Sequence, residues 1–138
     1  YGVVGWFMGY GTLAMVMIPI VFVAASVGGW LFFVQHQFEE TFWAAAKSWD
    51  FQVAAIYGSS YYALPKWLNW FTGNIGVHHV HHLNSMIPNY RLQECINAMP
   101  ELKDINRLTF WQSMKCVSLS LWDEDRQRMV TFREAVAA

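Results

Sequence analysis

The feature that most constrains this chain is an uncharged, mostly apolar run from Thr12 to Val34. As a helix rising about 1.5 Å per residue, this run would be about 34 Å long, enough to cross a hydrocarbon core of ~30 Å. Pro19 would kink such a helix, which membrane spans tolerate. The alternative is a buried core helix of a soluble protein, but uncharged runs of this length usually span. The run therefore predicts a transmembrane helix, preceded in residues 1–11 by the end of an earlier span.

The charged residues are distributed unevenly along the chain. No Asp, Glu, Lys or Arg comes before Glu39, and all nine Lys and Arg lie at Lys47 or later. Because positive residues favour the cytoplasmic side of a membrane, the C-terminal part is predicted to be cytoplasmic. A net charge of −1 without a basic run gives no electrostatic basis for binding nucleic acid. Cys95 and Cys116 form no Cys-x-x-Cys pair and are predicted to be free thiols.

The residues after the span predict short helices joined by turns. Pro65–Phe71 favours an amphipathic helix in the membrane interface, although ordinary packing against the cytoplasmic part would give the same pattern. Residues 91–99 and 109–121 predict two further helices, and residues 132–137 a last one. The predicted fold class is all-α, an integral membrane protein with one full transmembrane helix, part of a preceding one and a cytoplasmic helical cap.

Four of the five histidines fall within the five residues His78 to His82. On a helix, His78, His81 and His82 are spaced i, i+3 and i+4, which places three imidazoles on one face. His79 points about 100° away and is predicted to support the ligands without binding metal itself. Because imidazole is largely neutral near pH 7, the trio favours a borderline metal such as iron or zinc. A meaningless solvated histidine run is the alternative.

Three residues outside the trio are candidates for the same site. His36 ends the predicted span, and a lone histidine there is either a metal ligand or an interfacial polar residue. Glu39 follows it and could hydrogen-bond a ligand, or belong to a solvated turn. Asn74 is predicted to be the N-cap of the histidine helix, or else to reach a metal through water.

The string from Gly73 to Leu83, followed by Ile87–Tyr90, resembles the third histidine box of the membrane fatty acid desaturases. Val34–Glu39 resembles the segment that follows the last span in that family. Further strings resemble the omega-6 (Δ12) acyl-lipid branch, at residues 58–62, 70–76, 121–124 and 131–134.

This resemblance implies a non-haem di-iron centre that uses O₂ as co-substrate. His78, His81 and His82 match the ligands of the third box, and His36 matches the additional histidine that precedes it. The first two boxes have no counterpart in these residues, so the chain alone is predicted to be inactive. The implied reaction introduces a second double bond into a monounsaturated acyl chain, as in the conversion of oleoyl to linoleoyl.

The implied partners are a fatty acyl lipid or acyl thioester, membrane lipid and an electron donor of ferredoxin or cytochrome type. The predicted location is a bacterial inner membrane with the histidine box on the cytoplasmic side. Residues 1–38 would form the transmembrane region, 39–72 the connecting helices, and 73–138 the histidine-box region with the C-terminal helices.

Two other functions fit the same residues. A hydroxylase, epoxygenase or ketolase could use the same scaffold, since one oxidant serves all these outcomes. A non-catalytic membrane protein that binds a metal or haem is a third possibility, although haem would need one or two of these histidines and leave the rest unexplained.

Overall fold

The structure, a computed structural model, describes residues 1–137. Its α-helices are α1 (Gly2–Met8), α2 (Tyr10–His36), α3 (Phe51–Tyr57), α4 (Lys66–Phe71), α5 (His78–Leu83), α6 (Leu92–Ala98), α7 (Phe110–Lys115) and α8 (Phe132–Ala137). Short 3₁₀ turns cover Asn89–Arg91, Pro100–Lys103 and Cys116–Ser118. The strands are β1 (Tyr61–Tyr62), β2 (Arg107–Leu108), β3 (Leu121–Asp123) and β4 (Arg128–Val130). The described residues are therefore mostly helical, as the sequence predicts.

Contacts divide the chain into two compact units, Tyr1–Phe32 and the part from Phe33 onward. In the first unit, α1 and α2 are joined at Gly9, whose φ of 84° suits glycine. The helix α2 includes Pro19 and extends past both ends of the predicted apolar run. It is long and apolar enough to cross a membrane, and none of its most apolar window is buried.

The second unit is organised around β1. This strand pairs in parallel with β2, with Tyr61 opposite Arg107, and forms an antiparallel bridge to Val77 on its other side. Because Val77 immediately precedes α5, the bridge fixes the start of the histidine helix. Val80 joins Tyr61 and Val77 in a core that also contains Leu92 and Ile96 from α6 and Leu102 from the following 3₁₀ turn.

The expectation of an all-α fold is wrong in detail, because two small two-stranded sheets are present. The helix predicted over 109–121 ends at Lys115, and a 3₁₀ turn follows. Residues 121–130 then form the hairpin β3–β4, closed by Gln127 at φ 52° and by the Asp123 carboxylate, which accepts from two backbone N–H groups. The charged stretch 123–128 is thus the turn of a hairpin, a pairing that local propensity does not reveal.

Asn74 is not the N-cap of α5, contrary to the expectation. The N-cap position is Val77, with no side-chain capping bond. Asn74 lies in the left-handed region at φ 56° and donates from Nδ2 to the carbonyl oxygen of Asn89, 3.1 Å away. Residues 75–77 separate Asn74 from the first helical residue, so its side chain stabilises the loop and not the helix end.

Candidate metal centre

Three imidazoles from two helices converge in the second unit. His78 and His82 lie one turn apart on α5, and His36 is the last residue of α2. The Nε2 atoms are 3.3 Å apart for His36 and His78, 3.1 Å for His36 and His82, and 3.1 Å for His78 and His82. These atoms form a nearly equilateral triangle, which makes the three rings one candidate metal site.

Hydrogen bonds among the three Nε2 atoms cannot satisfy all three of these close contacts. An imidazole nitrogen either carries a hydrogen and donates, or carries a lone pair and accepts. With three mutually close nitrogens, at least two must be of the same kind, so one edge always joins two donors or two acceptors. A cation facing three lone pairs removes that conflict.

The size of the triangle also fits a metal ion. Three nitrogens each about 2.0–2.1 Å from one ion are separated by roughly 2.8–3.4 Å, for angles between a right angle and the tetrahedral value. The observed separations of 3.1–3.3 Å fall within that range. The residues present therefore fit a divalent metal ion.

The pKa values of His78 and His82 are lowered, which favours the neutral ring that binds metal. Burial, followed by the neighbouring rings of His82 and His36, lowers the pKa of His78 to about 3. Burial also lowers the pKa of His82, and His36 and His81 contribute in the same direction. Because metal binds the neutral ring, a lowered pKa removes competition from protons near pH 7.

His36 is positioned by the residues on either side of it. Gln35 is 1% exposed, and its Nε2 donates to the carbonyl oxygen of Ile75 at 2.7 Å. The backbone oxygen of Gln35 accepts from the N–H of Ser60 at 3.0 Å. On the other side, Gln37 donates to the carbonyl oxygen of Leu119 at 2.6 Å. The end of α2 is thereby tied to the loop that leads into α5.

His81 lies beside the triangle and is not part of it. Its ring stacks on His78, with centroids 5.7 Å apart and an interplanar angle of 26°. Its centroid is 6.0 Å from that of His82. The structure thus brings together His36, His78 and His82, whereas helical spacing alone selects His78, His81 and His82. The role of His81 as a ligand stays a prediction.

The other two predicted supporting residues, His79 and Glu39, lie in different surroundings. His79 is buried in the core, where its Nε2 is 2.9 Å from the carbonyl oxygen of Leu102 and burial lowers its pKa. Glu39 pairs with Arg128, which also lies 3.6 Å from Glu134. Glu39 lines a cavity of about 570 Å³ whose charged residues include Asp104, Lys115 and Arg128.

Sequence comparison identifies the family. The family model for fatty acid desaturases matches residues 1–113. The chain belongs to the fatty acid desaturase family. A protein of Bacillus subtilis (strain 168) called fatty acid desaturase is 43% identical over 125 residues, which is 91% of this chain and 36% of that protein. An sn-1 oleoyl-lipid 12-desaturase of Anabaena variabilis is 29% identical over 90 residues, 62% of this chain and 25% of that protein.

The chain thus spans about a third of the Bacillus desaturase and a quarter of the Anabaena one. No solved structure matches the chain. The desaturase resemblance that the sequence suggests is confirmed at the level of the family.

Two features of the site are not evident from sequence reasoning. Gln35 has no metal-ligand chemistry of its own, although its buried side chain forms the direct link to the Ile75 loop. Ser60 lies far from the histidines in sequence, yet its N–H donates to the carbonyl oxygen of Gln35 and its hydroxyl donates to that of Val34. The signal in the sequence that could identify Gln35 is a glutamine at the end of an otherwise apolar helix.

Proposed function

We propose that this chain forms part of a membrane desaturase that introduces a second double bond into a monounsaturated acyl chain, of the oleoyl-to-linoleoyl type. The main support is the convergence of the Nε2 atoms of His36, His78 and His82 in a chain of the fatty acid desaturase family. The oleoyl-lipid 12-desaturase relative and the omega-6-like strings support the choice of substrate. The acyl carrier would be a lipid or a thioester.

The cofactor we propose is a non-haem di-iron centre. His36, His78 and His82 would hold one ion, and His81 is proposed as a further ligand. When bound, iron supplies the activation of O₂ that removal of hydrogen from an unactivated methylene requires, a reactivity that no side chain has. The chain's own contribution is to bring three imidazole nitrogens to one point and to bury His78, which lowers the pKa of that ring.

The stoichiometry requires an electron donor. Forming one carbon–carbon double bond removes two hydrogens from the acyl chain, and reducing O₂ to two waters also consumes two protons and two further electrons. We propose that a donor of ferredoxin or cytochrome type supplies these electrons. Since the chain covers only part of its relatives' length, we expect the remaining iron ligands outside these residues and no turnover by the chain alone.

We further propose that α2 crosses a bacterial inner membrane and that the second unit, with the histidine box, lies on the cytoplasmic side. The length and apolar character of α2 support the first statement. The absence of Lys and Arg before Lys47 supports the second.

The test uses the longest natural reading frame that contains this sequence, expressed in a host that makes oleate. We expect a diene in the fatty acid profile, iron in the purified enzyme and no haem absorption band. His78→Ala should abolish both iron and diene, while Met86→Ala, at an exposed loop position, should change neither. An expressed, iron-loaded enzyme that makes no diene would contradict the substrate assignment. A hydroxylated or epoxidised product would show that the reaction is hydroxylation or epoxidation instead of desaturation.

A further inference from the structure

The short helix α4 exposes its aromatic side chains and buries a polar one. Trp67, Trp70 and Phe71 are 64%, 77% and 73% exposed. Asn69 is buried, and its Nδ2 donates to the carbonyl oxygen of Leu64. A surface helix of a soluble protein shows the opposite arrangement, with its apolar side facing the core.

The helix α7 repeats this inverted arrangement. Phe110, Trp111 and Met114 are exposed, and Trp111 is the most exposed of the three at 78%. Ser113 is fully buried, and its hydroxyl lies 3.0 Å from the Tyr62 hydroxyl of β1. The buried side of α7 is thus anchored by a hydroxyl pair, while its apolar side is left without cover among the described residues.

The two helices begin at the same end of one sheet. β1 and β2 are parallel, and the ladder ends with a bond from the N–H of Ala63 to the carbonyl oxygen of Leu108. Helix α4 starts shortly after β1, at Lys66, and α7 starts shortly after β2, at Phe110. Since the carboxyl ends of parallel strands lie at one edge, both aromatic helices start from that edge.

The charge of these segments is positive. Residues 61–72 and 107–119 contain Lys66, Arg107 and Lys115 but no Asp or Glu. All three cations are exposed, and none forms an ion pair within the described part of the chain. Arg107 and Lys115 also border the charged cavity, but no described carboxylate comes within ion-pair distance of them.

We propose that the exposed faces of α4 and α7 form one surface that docks on the headgroup region of an anionic lipid bilayer. Tryptophan and lysine together are typical of that region, where the ring lies at headgroup depth and the ammonium meets lipid phosphates. Protein–protein interfaces also favour aromatic residues, Met and Arg, but they are depleted of Lys, and two of the three cations here are lysines. The proposal depends on the proposed membrane location, but it is independent of the metal and the reaction.

The test places a fluorescent NBD label at single cysteines in the whole chain, reconstituted in nanodiscs of phosphatidylcholine and phosphatidylglycerol. Trp70→Cys and Trp111→Cys report on the surface, in a background with Cys95 and Cys116 replaced by alanine. Met86→Cys is the exposed control away from the surface, and Phe22→Cys marks the middle of α2. Lipids that carry a spin label near the headgroup or near the chain end quench the fluorescence, and circular dichroism checks the fold of each variant.

We expect the labels at positions 70 and 111 to lose fluorescence mainly to the headgroup-proximal spin label, the label at 22 mainly to the chain-end label, and the label at 86 to neither. Labels at 70 and 111 that behave as at 86 would overturn the proposal, as would a blue-shifted but unquenched emission, which indicates a protein occupant. Quenching at only one of the two positions would overturn the proposal that α4 and α7 form a single docking surface. If position 22 is also unquenched, the proposed membrane location fails as well.

Discussion

The hydrogen bond from Gln35 to Ile75 predicts how the metal site is held together. Gln35 directly precedes His36, and Ile75 lies in the loop that leads into α5 and His78. The bond therefore joins the two backbone segments that carry ligands from different helices. Gln35→Leu keeps a branched side chain at this buried position but removes the donor of the part-buried hydrogen bond to Ile75.

The magnitude follows from two independent considerations. Loss of the donor to this part-buried acceptor costs at most about 1–3 kcal/mol of stability, the range for a fully buried group. Loss of a residue that orients a metal ligand typically weakens metal binding by about 10–100-fold. At about 1.4 kcal/mol for each tenfold change, the second range corresponds to about 1.4–2.8 kcal/mol, in agreement with the first. We therefore expect Gln35→Leu to weaken metal binding by one to two orders of magnitude.

The assay is a titration of the reconstituted chain with Co²⁺, followed by the visible absorption of the bound ion. Gln37→Leu is the matched control, because Gln37 lies on the other side of His36 but hydrogen-bonds the carbonyl oxygen of Leu119, outside the histidine helix. The control variant should lose stability, but its loss of Co²⁺ affinity should be smaller than that of Gln35→Leu. Wild-type affinity in Gln35→Leu, or an equal loss in both variants, would refute the reasoning.

Three further predictions use other contacts. Gly76→Ala would place a Cβ 2.5 Å from a backbone carbonyl oxygen and should cost ~1–3 kcal/mol in thermal unfolding, whereas Gly28→Ala meets no atom within 4 Å and should cost nothing. Hydrogen bonds from the Thr131 N–H and hydroxyl lower the pKa of Glu134 from its ordinary value of 4.5. The stability that these bonds contribute is therefore present above pH 4.5 and is lost as the pH falls below it. In Thr131→Ala, an NMR titration should show a higher pKa for Glu134. His81→Ala should still bind one Co²⁺ ion per chain at His36, His78 and His82. If Co²⁺ binding is lost in this variant, His81 is a ligand of the same ion.

Local signals in the sequence account for the helix ends and for the long helix. Thr109 and Gln112 form a reciprocal capping box at the start of α7, and the hydroxyl of Thr131 accepts from the N–H of Glu134 at the start of α8. Capping depends on residues three apart, so the sequence carries the information directly. The apolar run of α2 is also local, because each of its residues contributes independently to the length that a membrane requires.

The rest depends on contacts between distant residues. The parallel pairing of β1 with β2 joins residues 61–62 to 107–108, and no short-range pattern encodes that register. The hairpin β3–β4 likewise begins where the sequence predicts the end of a helix, and no short-range pattern encodes the pairing of residues 121–123 with 128–130. The approach of His36 to α5 depends on the same kind of contact, since Gln35 meets Ile75 across forty positions of sequence.

The orientation of the rings explains why a single helix does not complete the site. His78 and His81, three positions apart, stack nearly parallel at 26° with centroids 5.7 Å apart, and His81 is not among the rings whose nitrogens converge. His78 and His82 are nearly perpendicular at 82°, and His36 and His78 at 87°, which allows the Nε2 atoms to converge. The third converging ring comes from another element, α2, which ends at His36. The two rings of α5 become part of a three-ligand site only through the tertiary contacts that hold the end of α2 beside α5.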